Sequence, residues 1–322
     1  MFPALSSAPS KDDHFLLRNV WYYASAGARL KPGRMLTKTI SGEPILMGRT
    51  ASGAVFAMRD VCPHRGIPLS CGRFDGQEVE CCYHGWRFDP AGRCTAIPSL
   101  VEGQDFHLDR IKVRTYPCRE VQGNIWIFMG DGEPPPAGSD GDIPVLPSAC
   151  GQAPKLVETM HFPCFIDHAV IGLVDPAHGP WVHRSWWWRR GGSIHEKAKR
   201  FGPSPQGFTM LRHRPSRNSY AYKLVGGVPE TEIVFRLPGV RIEHIATDRH
   251  SVVNLTAVTP VSNTETEINH CIYWNIPWLT ALKPALRSYA RKFLGQDRAV
   301  VVMQQAGLRH NPSLMLIRDA DT

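Results

Sequence analysis

The chain predicts an α+β protein in two parts: an all-β unit, then an antiparallel sheet closed by a long helix near the C-terminus. Three observations carry this. Between Asn19 and Phe128, short β-type runs alternate with Gly, Pro and Asp turns. A Pro- and Gly-rich acidic stretch, Gly130 to Asp142, separates that region from the rest. Beyond it, longer strand-type runs end in a helical stretch from about Pro284 to Gln304, and strands in series followed by a helix make an α+β domain.

Taken in order, the first unit offers strands at Val20–Ala24, Met35–Ile40, Pro44–Met47, Val55–Met58, Trp86–Phe88, Val113–Tyr116 and Ile125–Phe128. In the second, Leu156–Phe165 reads as a strand, and Asp167 to Trp181 has helical character interrupted by Pro176 and Pro180. Strands follow at Phe208–Leu211, Ala221–Leu224, Ile233–Leu237, Val240–Ile245, Val252–Val258 and Ile268–Ile276. The final helix opens with Pro284, which a first helical turn tolerates. The expected divisions are 15–130 and 149–310, joined by a linker at 131–148, with loose termini at 1–14 and 311–322. A chain of 322 residues is long enough for two cores.

Composition excludes several classes. With 43% hydrophobic and 20% charged residues the chain is neither disordered nor fibrous. No uncharged apolar run reaches the roughly 18 residues that span a bilayer. Met1 to Asp13 is a Ser/Pro-rich tail without the apolar core of a secretory signal. The 9 cysteines are odd in number and irregularly spaced, which speaks for metal ligands and buried thiols in a reducing cytoplasm. The net charge of +8 comes without a long Lys/Arg block, so nucleic acid is not an expected partner. A merely solvated basic surface and a face for an acidic electron donor both fit it.

Ligand-type residues concentrate in one stretch: Cys62-Pro63-His64-Arg65-Gly66, then Cys81-Cys82-Tyr83-His84-Gly85-Trp86. Two Cys and two His suit a tetrahedral zinc or a 2Fe–2S cluster with His on one iron. Zinc sites of this composition usually carry their His pair three to five residues apart on a helix, whereas here each His sits beside its own Cys. The stretch resembles a Rieske-type ferredoxin motif, with Cys81 rather than Cys82 as the second thiolate and Cys82 as a packed neighbour.

A second concentration is Asp175-Pro176-Ala177-His178-Gly179-Pro180-Trp181-Val182-His183. Positions 178 and 183 would lie about 140° apart on an unbroken helix, and Gly179-Pro180 relieves that separation. Asp175 also reads as a simple helix cap, and each His alone as an ordinary polar residue. In the last helix Asp297 falls among Phe293, Leu294, Val300 and Val301, within the expected apolar stripe. A carboxylate there needs a partner, either Arg298 or a metal shared with His178 and His183. Two His and a carboxylate form the facial triad of oxygen-activating non-haem iron.

Together with Asn19-Val20-Trp21-Tyr22 and Gln296-Asp297-Arg298, these motifs make residues 15 to 308 resemble the α-subunit of Rieske non-haem iron oxygenases. The resemblance implies a Rieske domain followed by a helix-grip catalytic domain, and a 2Fe–2S cluster held by Cys62, His64, Cys81 and His84. It implies a mononuclear Fe(II) on His178, His183 and Asp297, with Asp175 as the bridge to a cluster His of the neighbouring subunit in a homotrimer. A ferredoxin or flavin reductase would donate electrons, O2 would be the oxidant, and an apolar aromatic or steroid-like ring would be hydroxylated or demethylated. The alternative is a Rieske electron-transfer or ligand-sensing protein without turnover. Many members carry Asn three or four residues before the bridging Asp, where this chain has Gly172 and Ile171; Asp167 or His168 are the candidates to stand in. Few charges punctuate 252–258 and 268–276, so an apolar or weakly polar cavity is expected. Trp186, Trp187 and Trp188 read either as an entrance wall or as ordinary packing.

Overall fold

The computed structural model describes residues 16–101, 103–104, 106–130, 142–147, 151–175, 177–183, 199–215, 227–315 and 317. The chain separates into two compact units, one from Arg18 to Val145 and one from Leu146 onward. Most of the 131–148 linker and the Ala221–Leu224 and Trp186–Trp188 segments lie outside the described residues.

The first unit is built from short antiparallel strands. β1 (Val20–Ala26) pairs with β11 (Asn124–Met129), which also pairs with β10 (Cys118–Val121). β2 (Arg34–Ile40), β3 (Glu43–Arg49), β4 (Val55–Arg59) and β9 (Thr115–Tyr116) form a second sheet. The third sheet is made of very short strands: β5 (Arg73–Phe74), β6 (Val79–Glu80), β7 (Arg87–Phe88) and β8 (Cys94–Ala96). A core shared by the second and third sheets, with Leu46, Met58, Leu69, Val79 and Phe88, takes in Cys62 and Cys81. Both motif cysteines are therefore anchored in apolar packing. β5, β6, β8 and β10 were not expected from sequence; two to four residues are too few to show an alternating pattern.

The second unit carries a seven-stranded antiparallel sheet in the order β12 (Leu156–Phe162), β18 (Glu265–Trp274), β17 (Ser251–Ser262), β16 (Val240–Ala246), β15 (Glu230–Arg236), β14 (Gly207–His213), β13 (Phe201–Ser204). β12 stops at Phe162, three residues short of the expected end, because α1 (Ile166–Val174) begins there. A single turn, α2 (Gly179–Val182), follows. The long helix α3 (Lys283–Leu308) lies on the sheet, with Ala290 and Leu286 packed among Leu156, Ile245, Trp274 and Ile272. The expected apolar stripe is displaced: Leu294 and Val301 are buried, but Val300 is exposed.

Candidate metal centres

The two Cys/His loops have the same backbone construction. Cys62 N–H donates to Ile67 C=O and Gly66 N–H to Cys62 C=O; Cys81 N–H donates to Trp86 C=O and Gly85 N–H to Cys81 C=O. Each turn closes through a left-handed residue, Gly66 at φ +74° and Gly85 at φ +69°, which is why glycine occupies both positions. The repeat presents two buried thiols and two imidazoles. The His64 and His84 rings lie 4.5 Å apart, and Trp86 stacks on His64 at 4.5 Å and 4°.

Burial pushes the Cys62 thiol up to about 11, and Cys81 alongside adds to the effect, against the N–H groups of His64 and Arg65 that favour its thiolate. A metal is what makes two adjacent thiolates stable there. His64 is held below the ordinary imidazole range, first by desolvation and then by the charges of His84 and Arg65, and its buried Nδ1 has no hydrogen-bond partner. A neutral, unpartnered ring nitrogen suits a metal.

Among the described residues, only His178, His183 and Asp297 bring three ligand atoms within 4.8 Å of one another. Cys62, His64, Cys81 and His84 do not converge on one point in that way. A single tetrahedral zinc requires such convergence, whereas a cluster with two irons spreads its ligands in pairs. Cys82, expected as a packed neighbour, is exposed: it points out of the turn that buries Cys81.

In the second unit the helix break works through α2. His178 is its N-cap and His183 its C-cap, with Pro180 in the first turn. The His183 backbone leaves the helix at φ −90°, ψ 66°, and the two rings come to 5.3 Å. Asp297 Oδ1 stands 3.3 Å from His183 Nε2 and 3.7 Å from His178 Nε2. Burial pushes His183 down to about 4 and His178 in the same direction, so both are neutral and able to donate a lone pair. Desolvation raises the Asp297 carboxyl to about 7, against the opposing charge of Arg241. The buried His183 Nε2 has no hydrogen-bond partner. A divalent ion would satisfy all three groups at once. Asp297 is part-buried rather than enclosed, with 26% of its side chain exposed. Arg298 turns away, donating to the His161 carbonyl at 2.9 Å.

Two supporting residues were not assigned from sequence. Gln296 Oε1 lies 3.1 Å from His183 Nδ1, and Phe293 stacks on the His183 ring at 3.7 Å and 14°. One helix thus stacks, orients and completes the triad from positions 293, 296 and 297. Asp175 closes α1 and accepts from the N–H groups of Ala177 (2.6 Å) and His178 (3.2 Å), with Oδ2 3.6 Å from His178 Nδ1. Gly172 and Ile171 lie in the last turn of α1, Ile171 accepting the Asp175 N–H through its carbonyl.

The donor sets and fold define a two-domain iron protein with a Rieske-type first unit. The Rieske [2Fe-2S] domain family matches residues 20–117. The 4β-methylsterol monooxygenase of Methylococcus capsulatus is 41% identical over 137 residues, 42% of this chain and 36% of that protein. The oxygenase component of dicamba O-demethylase from Stenotrophomonas maltophilia is 34% identical over 170 residues, 52% of this chain and 48% of that protein. These matched segments span less than half of either relative. The fold of dicamba monooxygenase bound to dicamba superposes with a TM-score of 0.79 at 23% identity, covering 94% of this chain and 93% of that one. Residues 20–117 are a Rieske [2Fe-2S] domain, and the chain as a whole is similar to the Rieske non-haem iron oxygenase α-subunits in its α+β fold and domain order. The family's cofactors are a Rieske [2Fe–2S] cluster and a mononuclear iron, and the residues present fit both.

Proposed function

We propose that the chain is the terminal oxygenase of a multicomponent system that hydroxylates or oxidatively demethylates a ring-containing substrate. The observation that carries this is the convergence of His178, His183 and Asp297 in a chain that also has a Rieske domain. A bare electron carrier or sensor has no use for a second donor set with open positions. Cys62, His64, Cys81 and His84 are the cluster ligands in this reading. When bound, the cluster supplies electrons one at a time and the mononuclear iron supplies oxygen activation.

The protein's own residues prepare the site. Gln296 accepts a hydrogen bond from His183 Nδ1–H, which leaves the Nε2 lone pair on the side of Asp297, ready for a metal. Asp175 holds the 177–178 turn through two N–H groups and keeps a carboxylate oxygen beside His178. It is the bridge to a cluster histidine of a neighbouring copy in a homotrimer, fed in the cytoplasm by a ferredoxin or flavin reductase. The names of the relatives, a 4β-methylsterol monooxygenase and a dicamba O-demethylase, support a ring substrate.

Oxygen uptake tests the proposal. The loaded protein with a compatible reductase should consume O2 and convert a ring substrate, and Asp175→Ala should keep both metals but stop turnover. Electron acceptance without oxygen consumption, across a panel of aromatic and sterol compounds, favours the electron-carrier alternative.

A further inference from the structure

Antiparallel register places one row of side chains across the catalytic sheet. Phe208 pairs with Phe235, Phe235 with Arg241, Arg241 with Thr256, Thr256 with His270, and His270 with Glu158. Alternation puts this row on the face covered by α3. The residues against which Leu286 and Ala290 pack (Leu156, Ile245, Val252, Ile272 and Trp274) stand two or four positions from it on the same strands. Arg291 of α3 confirms the placement by donating to Glu158 at 2.7 Å. Asp297 follows Ala290 by about two helical turns and so leaves α3 on the same side. At the other end of the row, Val174, the residue before Asp175, packs, as Phe208 does, against the cluster of Met210, Ile233 and Phe235. The row therefore runs from the segment that carries Asp175 to the helix that carries Asp297.

Its middle is polar. Arg241 Nη1 donates to Glu243 Oε2 at 3.2 Å, and Asn254 Nδ2 donates to the same oxygen at 3.2 Å. That bond uses one of the five guanidinium N–H groups. Thr256 Oγ1 and His270 Nδ1 are 2.8 Å apart, so a hydroxyl that donates to Nδ1 leaves Nε2–H as a donor. His270 keeps accessible surface, yet burial pushes its imidazole down to about 4, the combination found in a group lining an interior space. The Arg241 charge is close enough to bias His178, His183 and Asp297 alike.

We propose that this row anchors the substrate, and that the substrate class is a ring bearing a carboxylate. The carboxylate sits on the free guanidinium edge of Arg241 with a hydrogen bond from His270 Nε2, and the ring lies toward Phe208 and Phe235. Guanidinium geometry matches a carboxylate bidentately. Here the inference rests on the oxygenase reading.

The test is calorimetric titration of the iron- and cluster-loaded full chain with benzoate, phenylacetate and 2-methoxybenzoate against their primary amides. The acids should bind about tenfold tighter or more. The charge-balanced double variant Arg241→Gln/Glu243→Gln should close that gap, with its cluster spectrum and iron content as the check on folding. Arg241→Lys, which keeps the charge and loses the fork, should retain part of the preference. Equal binding of acids and amides, no binding of any acid, or a preference that survives in the double variant overturns the anchor. Oxygen uptake with neutral rings alongside such a result leaves the oxygenase reading standing. An acid preference without oxygen uptake does the reverse.

Discussion

Gln296 accepts a hydrogen bond from His183 at 3.1 Å, one residue before Asp297, to which the same imidazole presents its other nitrogen at 3.3 Å. An amide oxygen can only accept, so Nδ1 must carry the proton and Nε2 the lone pair. The partner of the far nitrogen thereby fixes which nitrogen faces the metal. Removing such support typically costs 10–100-fold in metal affinity. Gln296→Leu should weaken iron retention by about that factor in a chelator titration and leave the cluster spectrum unchanged. Unaltered retention would mean that packing on Phe293 alone orients the ring.

The cluster turns differ in one respect that stability measurements can resolve. Gly66 and Gly85 share the left-handed conformation, but a Cβ at Gly66 meets nothing within 4 Å, while one at Gly85 comes to 3.1 Å from Pro98 Cγ. Gly66→Ala should cost about 1–2 kcal/mol, the usual strain of that backbone region. Gly85→Ala should cost more and bleach the cluster at a lower temperature. Equal melting of the two variants would show that Pro98 gives way freely.

Glu43 supplies a pH dependence in the first unit. Burial works against its ionisation, but hydrogen bonds from Tyr116 and Arg18 and the nearby charge of Arg114 outweigh it and hold the carboxyl below its ordinary 4.5. A depressed carboxyl pKa means that the unfolded state binds the proton more readily. The contribution to stability is therefore present above pH 4.5 and lost as pH falls through the depressed value. Glu43→Gln should lower the melting temperature at neutral pH and flatten its decline below pH 4.5. Parallel acid profiles for the two proteins would assign the decline to other groups.

Much of the site was legible in the sequence because its chemistry is local. C-x-H and C-x-x-H each fit in one tight turn, and His178 to His183 needs only Gly179-Pro180 to fold back. Asp297 was found by a broken rule, a carboxylate in an apolar register, although Val300 proved exposed and the stripe lies to one side. What stayed hidden depends on register between distant strands. Thr256 and His270 become neighbours, and Arg241 faces inward, only when β16, β17 and β18 are aligned. The strands at 252–258 and 268–276 hence look apolar in sequence yet present Asn254, Thr256 and His270 to the helix side. Gln296 was in view beside Asp297, but one hydrogen bond from a residue 113 positions away gives it its role.

Iron and acid-labile sulfide analysis of the wild type and of Asp297→Ala tests the two-centre reading most directly. A Rieske oxygenase holds two irons and two sulfides in the cluster plus one further iron. The variant should lose the further iron alone, with the cluster spectrum and sulfide unchanged. Zinc in place of iron without labile sulfide, or an iron content that Asp297→Ala leaves untouched, would contradict it.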